Sequence, residues 1–144
     1  MATSGMARSD HPNVDLVRHG FEAMAAGDLD AVINLYSPDL KYYGGDQYGR
    51  SREFASRDAF FGMLAEAIAL NDEFSTELVD AFAVGDSLVM AHVRGHRRSR
   101  ATQEILETDF IMAMRIEDSV VTQGVDLIDG IAESYWARLA SARG

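Results

Sequence analysis

The residues best suited to moving a proton are concentrated in one strand-like stretch, Ser87 to Arg98. Because successive side chains of a strand point to opposite faces, two histidines and an arginine share one face with apolar residues. That face carries Leu88, Met90, His92, Arg94 and His96, and the other carries Val89, Ala91, Val93 and Gly95. Periodicity alone does not say which face is inside. A histidine among apolar side chains could serve as a general acid or base near neutral pH, or it could be a hydrogen-bonded member of a core wall.

Arg94 opens an arginine-rich run, residues 94–100. Its guanidinium could hold a substrate carboxylate or enolate, or simply pair with a nearby Asp or Glu. The whole run could be a solvated hairpin end or a site that captures an anionic substrate. His92 and His96 lie about 13 Å apart along a strand, too far to chelate one metal ion together. We therefore expect no metal, and the lack of GxGxxG and P-loop sequences predicts no nucleotide cofactor.

The composition narrows the class of protein and its partners. A chain of 144 residues that is 47% hydrophobic fits one domain with a sizeable core. Thirteen Lys and Arg against 23 Asp and Glu give a formal charge of −10, which disfavours nucleic acid and anionic membrane surfaces as partners. With no cysteine, no long apolar stretch and no signal-peptide pattern at the N-terminus, the sequence predicts a cytoplasmic protein.

The elements that would position these residues follow from the hydrophobic periodicity. Residues 1–10 predict a flexible tail and residues 11–144 a single domain. Helices are predicted from Pro12 to about Gly27, from Asp28 to Tyr36, from Ser56 to Asn71 and, near the C-terminus, from Gly130 onward. Strands are predicted at Leu40 to Tyr43 and at about 74–84, 87–98, 103–116 and 119–128, with a possible lid loop from Gly44 to Ser56. Helices followed by a meander of strands indicate an α+β fold, in which a curved antiparallel sheet is covered by the N-terminal helices around one internal pocket.

The segment HPNVDLVRHGFEAMAAGDLDAVINLYSPDLKYY, residues 11–43, resembles the opening of the SnoaL-like branch of the nuclear transport factor 2-like superfamily. That branch commonly has an apolar helix, the pattern A-x-x-A-G-D-L-D, a short aromatic-rich strand and a loop containing glycine. The likeness continues through SRDAFFGML, VRGHRRSR and MRIEDSVVTQ, so that about residues 11–139 follow the pattern. The resemblance implies a cone-shaped α+β barrel. This scaffold hosts isomerases, cyclases, epoxide hydrolases, dehydratases and non-catalytic binders.

Several family positions lack their usual chemistry in this chain. The acid–base positions of the ketosteroid isomerase relatives fall at about Gly20, Gly44 and Met112, none of which can move a proton. The common W-H-x-P-G sequence reads Tyr42 to Gly45, without the histidine, and the frequent Glu-x-Trp of the last strand reads Gln123 to Val125. These losses suggest either a retuned chemistry or a non-catalytic member.

The resemblance also implies which side chains line the hollow. The resemblance turns the face of the strand that carries His92 inward, with His92 as the general acid or base. Tyr42 or Arg94 would then stabilise an oxyanion, and Asp129 would orient or protonate the substrate. Asp129 could instead cap the C-terminal helix. The implied substrate-binding wall consists of Tyr36, Met90, Phe110, Met112, Met114, Gln123 and Trp136. An outer apolar face of Val89, Ala91, Val93, Ile111 and Ala113 predicts a homodimer.

Two functions follow. The leading hypothesis is a cofactor-independent cyclase, isomerase or hydratase/dehydratase that acts on a small apolar metabolite of polyketide or terpenoid type. The alternative is a non-catalytic ligand-binding or dimerisation domain of the same fold. A cavity of at least ~300 Å³ in which His92, Tyr42 and Asp129 converge would favour the enzyme. An interior filled by Met90, Phe110, Met112 and Met114 would favour the binder.

Overall fold

A computed structural model describes residues 7–48 and 50–127 of the chain. Its elements are β1 (Ala7–Arg8), α1 (Pro12–Ala25), α2 (Leu29–Ile33), β2 (Tyr36–Gly45), β3 (Ser51–Phe54), α3 (Arg57–Ala69), β4 (Asn71–Val84), β5 (Leu88–Ser99), β6 (Ile105–Glu117) and β7 (Val120–Leu127). The seven strands of the described ranges form one curved sheet, in the order β1-β4-β5-β6-β7-β2-β3. The predicted α+β class, with helices covering one face of the sheet, is confirmed. The predicted C-terminal helix, Asp129 and Trp136 lie outside the described residues.

The helices begin where local capping chemistry predicts. In α1, Pro12 follows the N-cap His11, whose ring accepts a hydrogen bond from the backbone N–H of Asn13 at 3.0 Å. Asp28 caps α2 and Ser56 caps α3 in the same way, through side-chain oxygens. Helix α2 ends earlier than predicted, so Tyr36 belongs to β2 instead.

The sheet is antiparallel except at one pair of strands. Strands β4 to β7 form a meander, but β2 lies parallel to β7, with Tyr42 beside Gly124. The predicted antiparallel meander is present, and the β2–β7 pair adds a parallel neighbour that the sequence does not predict. In the order of the strands, β2 lies between β7, the last strand of the meander, and β3, its own neighbour in sequence.

Two segments predicted to be irregular contain strands. The predicted lid loop forms a hairpin instead, in which β3 pairs antiparallel with the end of β2 and Tyr42 lies opposite Phe54. Within the predicted tail, Ala7–Arg8 pairs with the end of β4. The hairpin extends the edge of the sheet next to Tyr42.

Strand β5 turns toward the core the face opposite to the one that the resemblance implies. Val89, Ala91 and Val93 are 0% exposed and lie in the core, whereas His92 and Arg94 point to the outer face. The cross-strand partners show the same assignment, since Val93 lies opposite Phe110 and Ala91 opposite Met112. The resemblance therefore assigns the wrong face of β5 to the interior. For β6, the inward face that it implies agrees with the structure. Val89, Ala91 and Val93 accordingly cannot form the outer apolar face expected of a homodimer.

Candidate functional site

Two side chains from the parallel pair of strands meet on the helix-covered face of the sheet. The hydroxyl of Tyr42, in β2, donates a hydrogen bond to Oδ1 of Asp126, in β7. The Tyr42 ring is 1% exposed and stacks on Phe60 of α3, with 4.2 Å between ring centroids. A tyrosine fixed by packing on one side therefore holds a carboxylate on the other.

Two glycines make room for this pair. A Cβ on Gly124 would overlap the Tyr42 ring, and a Cβ on Gly44 would lie 2.6 Å from Oδ2 of Asp126. Each large side chain thus lies across the glycine of the adjacent strand. Any side chain at position 44 or 124 would displace one member of the pair.

Burial sets the protonation states of both groups. It raises the pKa of Asp126 to about 6, an effect that the hydrogen bond from Tyr42 and the charge of Arg97 partly oppose. The pKa of Tyr42 is raised well above its ordinary value by burial and by the negative charge of Asp126. Near neutral pH, Asp126 is then mostly ionised and more basic than an exposed carboxylate, and Tyr42 keeps its proton.

The Tyr42–Asp126 pair lines a cavity of about 110 Å³, whose walls are largely apolar but include charged and hydroxyl groups; we call it the polar cavity. Arg97 of β5 and Thr108 of β6 line the same space, and the guanidinium carbon of Arg97 lies 5.0 Å from the ring centroid of Phe74. The second carboxylate of the cavity, Asp46, accepts backbone N–H groups of the β2–β3 turn and pairs with Arg50 at 3.3 Å. Since Asp46 is occupied in holding that turn, Asp126 is the carboxylate of this cavity available for chemistry.

A second, apolar cavity of about 120 Å³ lies next to the first, between α1, α3 and the sheet. Tyr36, Phe60, Phe61 and Met114 are among its walls, and burial raises the pKa of Tyr36 so that its hydroxyl stays protonated. Leu64 and Met112 line both cavities and therefore lie between them. The predicted single pocket is thus divided into an apolar and a polar part.

Comparison with known proteins places the chain in a family. Residues 17–123 match the family model described as the SnoaL-like domain. The chain belongs to the SnoaL-like domain family. An uncharacterised protein of Mycobacterium tuberculosis is 28% identical over 131 residues, which cover 90% of this chain and 99% of that protein.

Solved structures show that this SnoaL-like domain has the nuclear transport factor 2-like fold. It is similar to such a protein of unknown function from Burkholderia pseudomallei, with a TM-score of 0.70 and 16% identity over 90% of this chain and 95% of that one. It is also similar to IdmH, a proposed polyketide cyclase from Streptomyces antibioticus, with a TM-score of 0.71 and 18% identity over 89% and 99% of the two chains. These structural similarities show a common fold alone.

The structure of the SnoaL-like domain does not bring His92 and Arg94 to the cavities. His92 Nε2 lies 2.9 Å from Asp109 Oδ1 on the outer face, and Arg94 Nε lies 3.3 Å from the same oxygen. Both side chains are more than a third exposed, so His92 lacks the apolar surroundings on which its predicted role depended. His96 is placed alike, paired with Glu73 at 2.7 Å.

Met90 and Gln123, both predicted to bind substrate, also lie away from the cavities. Met90 pairs with Ala113 on the outer face of β5, and Gln123 is exposed. Gln123 points outward because of a bulge at Thr122. Val121 lies opposite Ile116, but Gln123 lies opposite Arg115, so one residue of β7 is unpaired. The extra residue reverses the alternation and turns Gly124 and Asp126 inward.

The remaining predicted positions line the cavities. Tyr36 and Met114 are on the apolar side, Tyr42 and Phe110 on the polar side, and Met112 on both. Their predicted roles in substrate binding remain predictions. The sequence analysis does not include Asp126, because strict alternation from Val121 places this residue on the outer face. The sequence feature that could indicate it is the pair of glycines, Gly44 and Gly124, in adjacent strands.

Within residues 7–48 and 50–127, no cluster of three or more His, Asp or Glu side chains could hold a metal ion. No helix in those ranges combines the length and apolarity needed to cross a bilayer.

Proposed function

We propose that this SnoaL-like domain catalyses proton transfer on a small, largely apolar carbonyl compound, with Asp126 as the general base. The observation that carries the proposal is the Tyr42–Asp126 pair, a buried carboxylate held at the wall of a polar cavity by one hydrogen bond. Its pKa of about 6 lies close to working pH, where a general base is most effective. The net reaction would be an isomerisation, a cyclisation, or the addition or loss of water.

The first step would be removal of a proton from the carbon next to the carbonyl. The proton passes to Asp126, the electron pair of the C–H bond becomes the new C=C bond, and the π electrons of the carbonyl group move onto its oxygen, giving an enolate. If the enolate is conjugated with a C=C bond of the substrate, return of the proton to the far carbon of that dienolate gives an isomer. If the enolate carbon instead attacks a second carbonyl group of the same molecule, a ring closes and Asp126 gives its proton to the new alkoxide. Tyr42 holds the carboxylate in place and stabilises its charged form.

The cavity walls indicate the kind of substrate. The apolar cavity next to the reacting groups would hold a ring or alkyl portion, while the carbonyl group would lie in the polar cavity. This is consistent with the description of IdmH, a structural neighbour, as a proposed polyketide cyclase.

The test is deuterium exchange at the carbon next to a carbonyl group. Phenylacetone, which has one ring and one ketone, would be incubated with the protein in D₂O and followed by proton NMR. We expect the wild type to accelerate exchange of the CH₂ group, and Asp126→Asn to lose about 100-fold of that acceleration, the usual contribution of a general base. Asp109→Asn, which changes an outer-face aspartate, is the matched control and should exchange as the wild type does. Equal acceleration by wild type and Asp126→Asn would refute Asp126 as the base.

The size of the cavities supports a second candidate, a non-catalytic binding domain. Each of the two cavities is far below the ~300 Å³ typical of small-molecule sites, and Met112 and Leu64 lie between them. A binding domain would retain phenylacetone without exchanging its protons. The same NMR experiment therefore separates the two functions, because line broadening of the ligand reports binding independently of exchange.

A further inference from the structure

The polar cavity contains two groups that proton transfer at Asp126 does not use, Arg97 and Thr108. Both line the cavity beside Asp126. Arg97 lies opposite Leu106 in the β5–β6 pair and Thr108 opposite Gly95, so the two residues are diagonal neighbours on one face. Diagonal neighbours in a sheet are about 7–8 Å apart, within reach of a long side chain. A cation and a hydroxyl therefore face the same small space.

Thr108 has an unsatisfied hydroxyl. Its Oγ1 is buried and has no hydrogen-bond partner in the part of the chain that the structure describes. Leaving a buried hydroxyl unpaired costs about 1–3 kcal/mol, so native proteins rarely retain one without a reason. Because this hydroxyl lies at the wall of a cavity, a molecule in the cavity can pair with it.

Arg97 brings a positive charge to the same wall. Its guanidinium carbon lies over the Phe74 ring, 5.0 Å from the centroid, and its charge lowers the pKa of Asp126. A guanidinium carries five N–H donors, so it can bind a ligand oxygen while it keeps its contacts within the protein. A carboxylate or enolate oxygen is the ligand group that suits such a donor together with a hydroxyl.

We infer that Arg97 and Thr108 form a subsite for an anionic oxygen, and that the natural ligand is an acid with an apolar body of about one ring. The inference deepens the proposed function by naming the chemical class of its substrate, and it rests on the same polar cavity. The size limit comes from the cavity volumes of about 110 and 120 Å³, comparable with the ~150 Å³ of an engineered cavity that holds benzene. Arg97 thereby becomes a specificity-determining residue.

The test compares two ligands of one shape, benzoate and benzamide, by NMR titration or calorimetry at about pH 5.5. At that pH Asp126 is largely protonated and does not repel benzoate. We expect benzoate to bind at least about tenfold more tightly than benzamide, the size of one charge-assisted hydrogen bond. Arg97→Gln should abolish the preference, Arg97→Lys should retain part of it, and Thr108→Val should weaken benzoate severalfold. Arg98→Gln, one residue away on the outer face, should change nothing.

Equal binding of the two ligands by the wild type, no binding of benzoate, or a preference that survives Arg97→Gln would each overturn the inference. Circular dichroism of each variant checks that it is folded, and Arg97→Lys retains a cation if Arg97→Gln fails to fold. Asp126→Asn separates this inference from the proposed function, because a variant without the base should still prefer benzoate. If that variant binds benzoate while the wild type exchanges no protons, the subsite stands and the proposed function fails.

Discussion

The carboxylate of Asp126 fills the space that a side chain at position 44 would occupy. Its Oδ2 lies 2.6 Å from where a Cβ on Gly44 would be. The resemblance to the ketosteroid isomerase relatives places their general base at about Gly44, in the strand that here contains Tyr42. In this chain a carboxylate reaches the same place from the adjacent parallel strand, β7. A carboxylate thus lies beside position 44, although the sequence at that position has no acid.

This relationship predicts that the acid can be moved between strands. Asp126→Gly should remove about 100-fold of the exchange activity, because no base remains at the cavity wall. Combining it with Gly44→Asp places a carboxylate in the space that Asp126 has vacated, and should recover at least about tenfold. Deuterium exchange of phenylacetone measures both variants. A double variant no more active than Asp126→Gly would show that the direction of the carboxylate matters more than its location.

The activity should depend on pH through Asp126. Since the base must be ionised and its pKa is about 6, the exchange rate at limiting substrate should rise about tenfold per pH unit below pH 6 and level off above it. Tyr42→Phe removes the hydrogen bond that lowers this pKa, so its profile should shift to higher pH. Tyr43→Phe, the neighbouring tyrosine on the outer face, should leave the profile unchanged. A profile for Tyr42→Phe that shifts to lower pH would contradict the assigned role of the hydroxyl.

The same burial should make the folded state less stable as pH rises. The pKa of Asp126 is higher in the folded protein than in the unfolded chain, so between about pH 4 and pH 6 the folded state holds a proton that the unfolded state has released. This contribution favours folding at low pH and is lost as pH rises through about 6. Asp126→Asn should therefore raise the free energy of unfolding by about 1–2 kcal/mol at pH 7.5, relative to its effect at pH 5. Urea denaturation at the two pH values measures the difference, and equal effects at both would place Asp126 in water.

The sequence predicts the elements of this fold better than it predicts their faces. Capping residues and helical spacing locate α1 and α3, since both signals are local. The inward face of β5 depends on which side of the sheet the helices cover. The sequence does not decide this, because the face with Leu88 and Met90 and the face with Val89 and Val93 both carry large apolar side chains. The bulge at Thr122 then reverses the alternation of β7, with no Gly or Pro at that position to signal it. The adjacency of β2 and β7, which places Asp126 beside Tyr42, is not encoded in any local pattern.

The outer face of the sheet predicts that the chain forms a homodimer, through residues other than Val89, Ala91 and Val93. A row of apolar side chains crosses five strands in register, and several are well exposed, with Tyr43 at 49% and Val125 at 39%. The row consists of Tyr43, Val125, Ala113, Met90 and Phe82. Such a continuous apolar strip is typical of a surface that another molecule covers, and we expect a second copy of the chain. Val125→Lys should convert a dimer to a monomer in sedimentation velocity, whereas Leu29→Lys, an equal change on α2, should not. A wild-type protein that sediments as a monomer would refute this expectation.

Met112 should control how large a ligand the interior accepts. It lies between the two cavities together with Leu64, and a flexible thioether side chain can move aside more readily than a branched one. Met112→Ala should join the cavities and let a two-ring acid such as 2-naphthoate bind at least about tenfold more tightly than it binds the wild type, at a cost in stability of about 2–4 kcal/mol. Met90→Ala is the matched control, because Met90 lies on the outer face of the adjacent strand, and it should not change the affinity for 2-naphthoate. NMR titration with benzoate and 2-naphthoate checks both variants. If Met112→Ala binds 2-naphthoate no better than the wild type does, ligands enter the polar cavity alone and the apolar cavity is a packing defect.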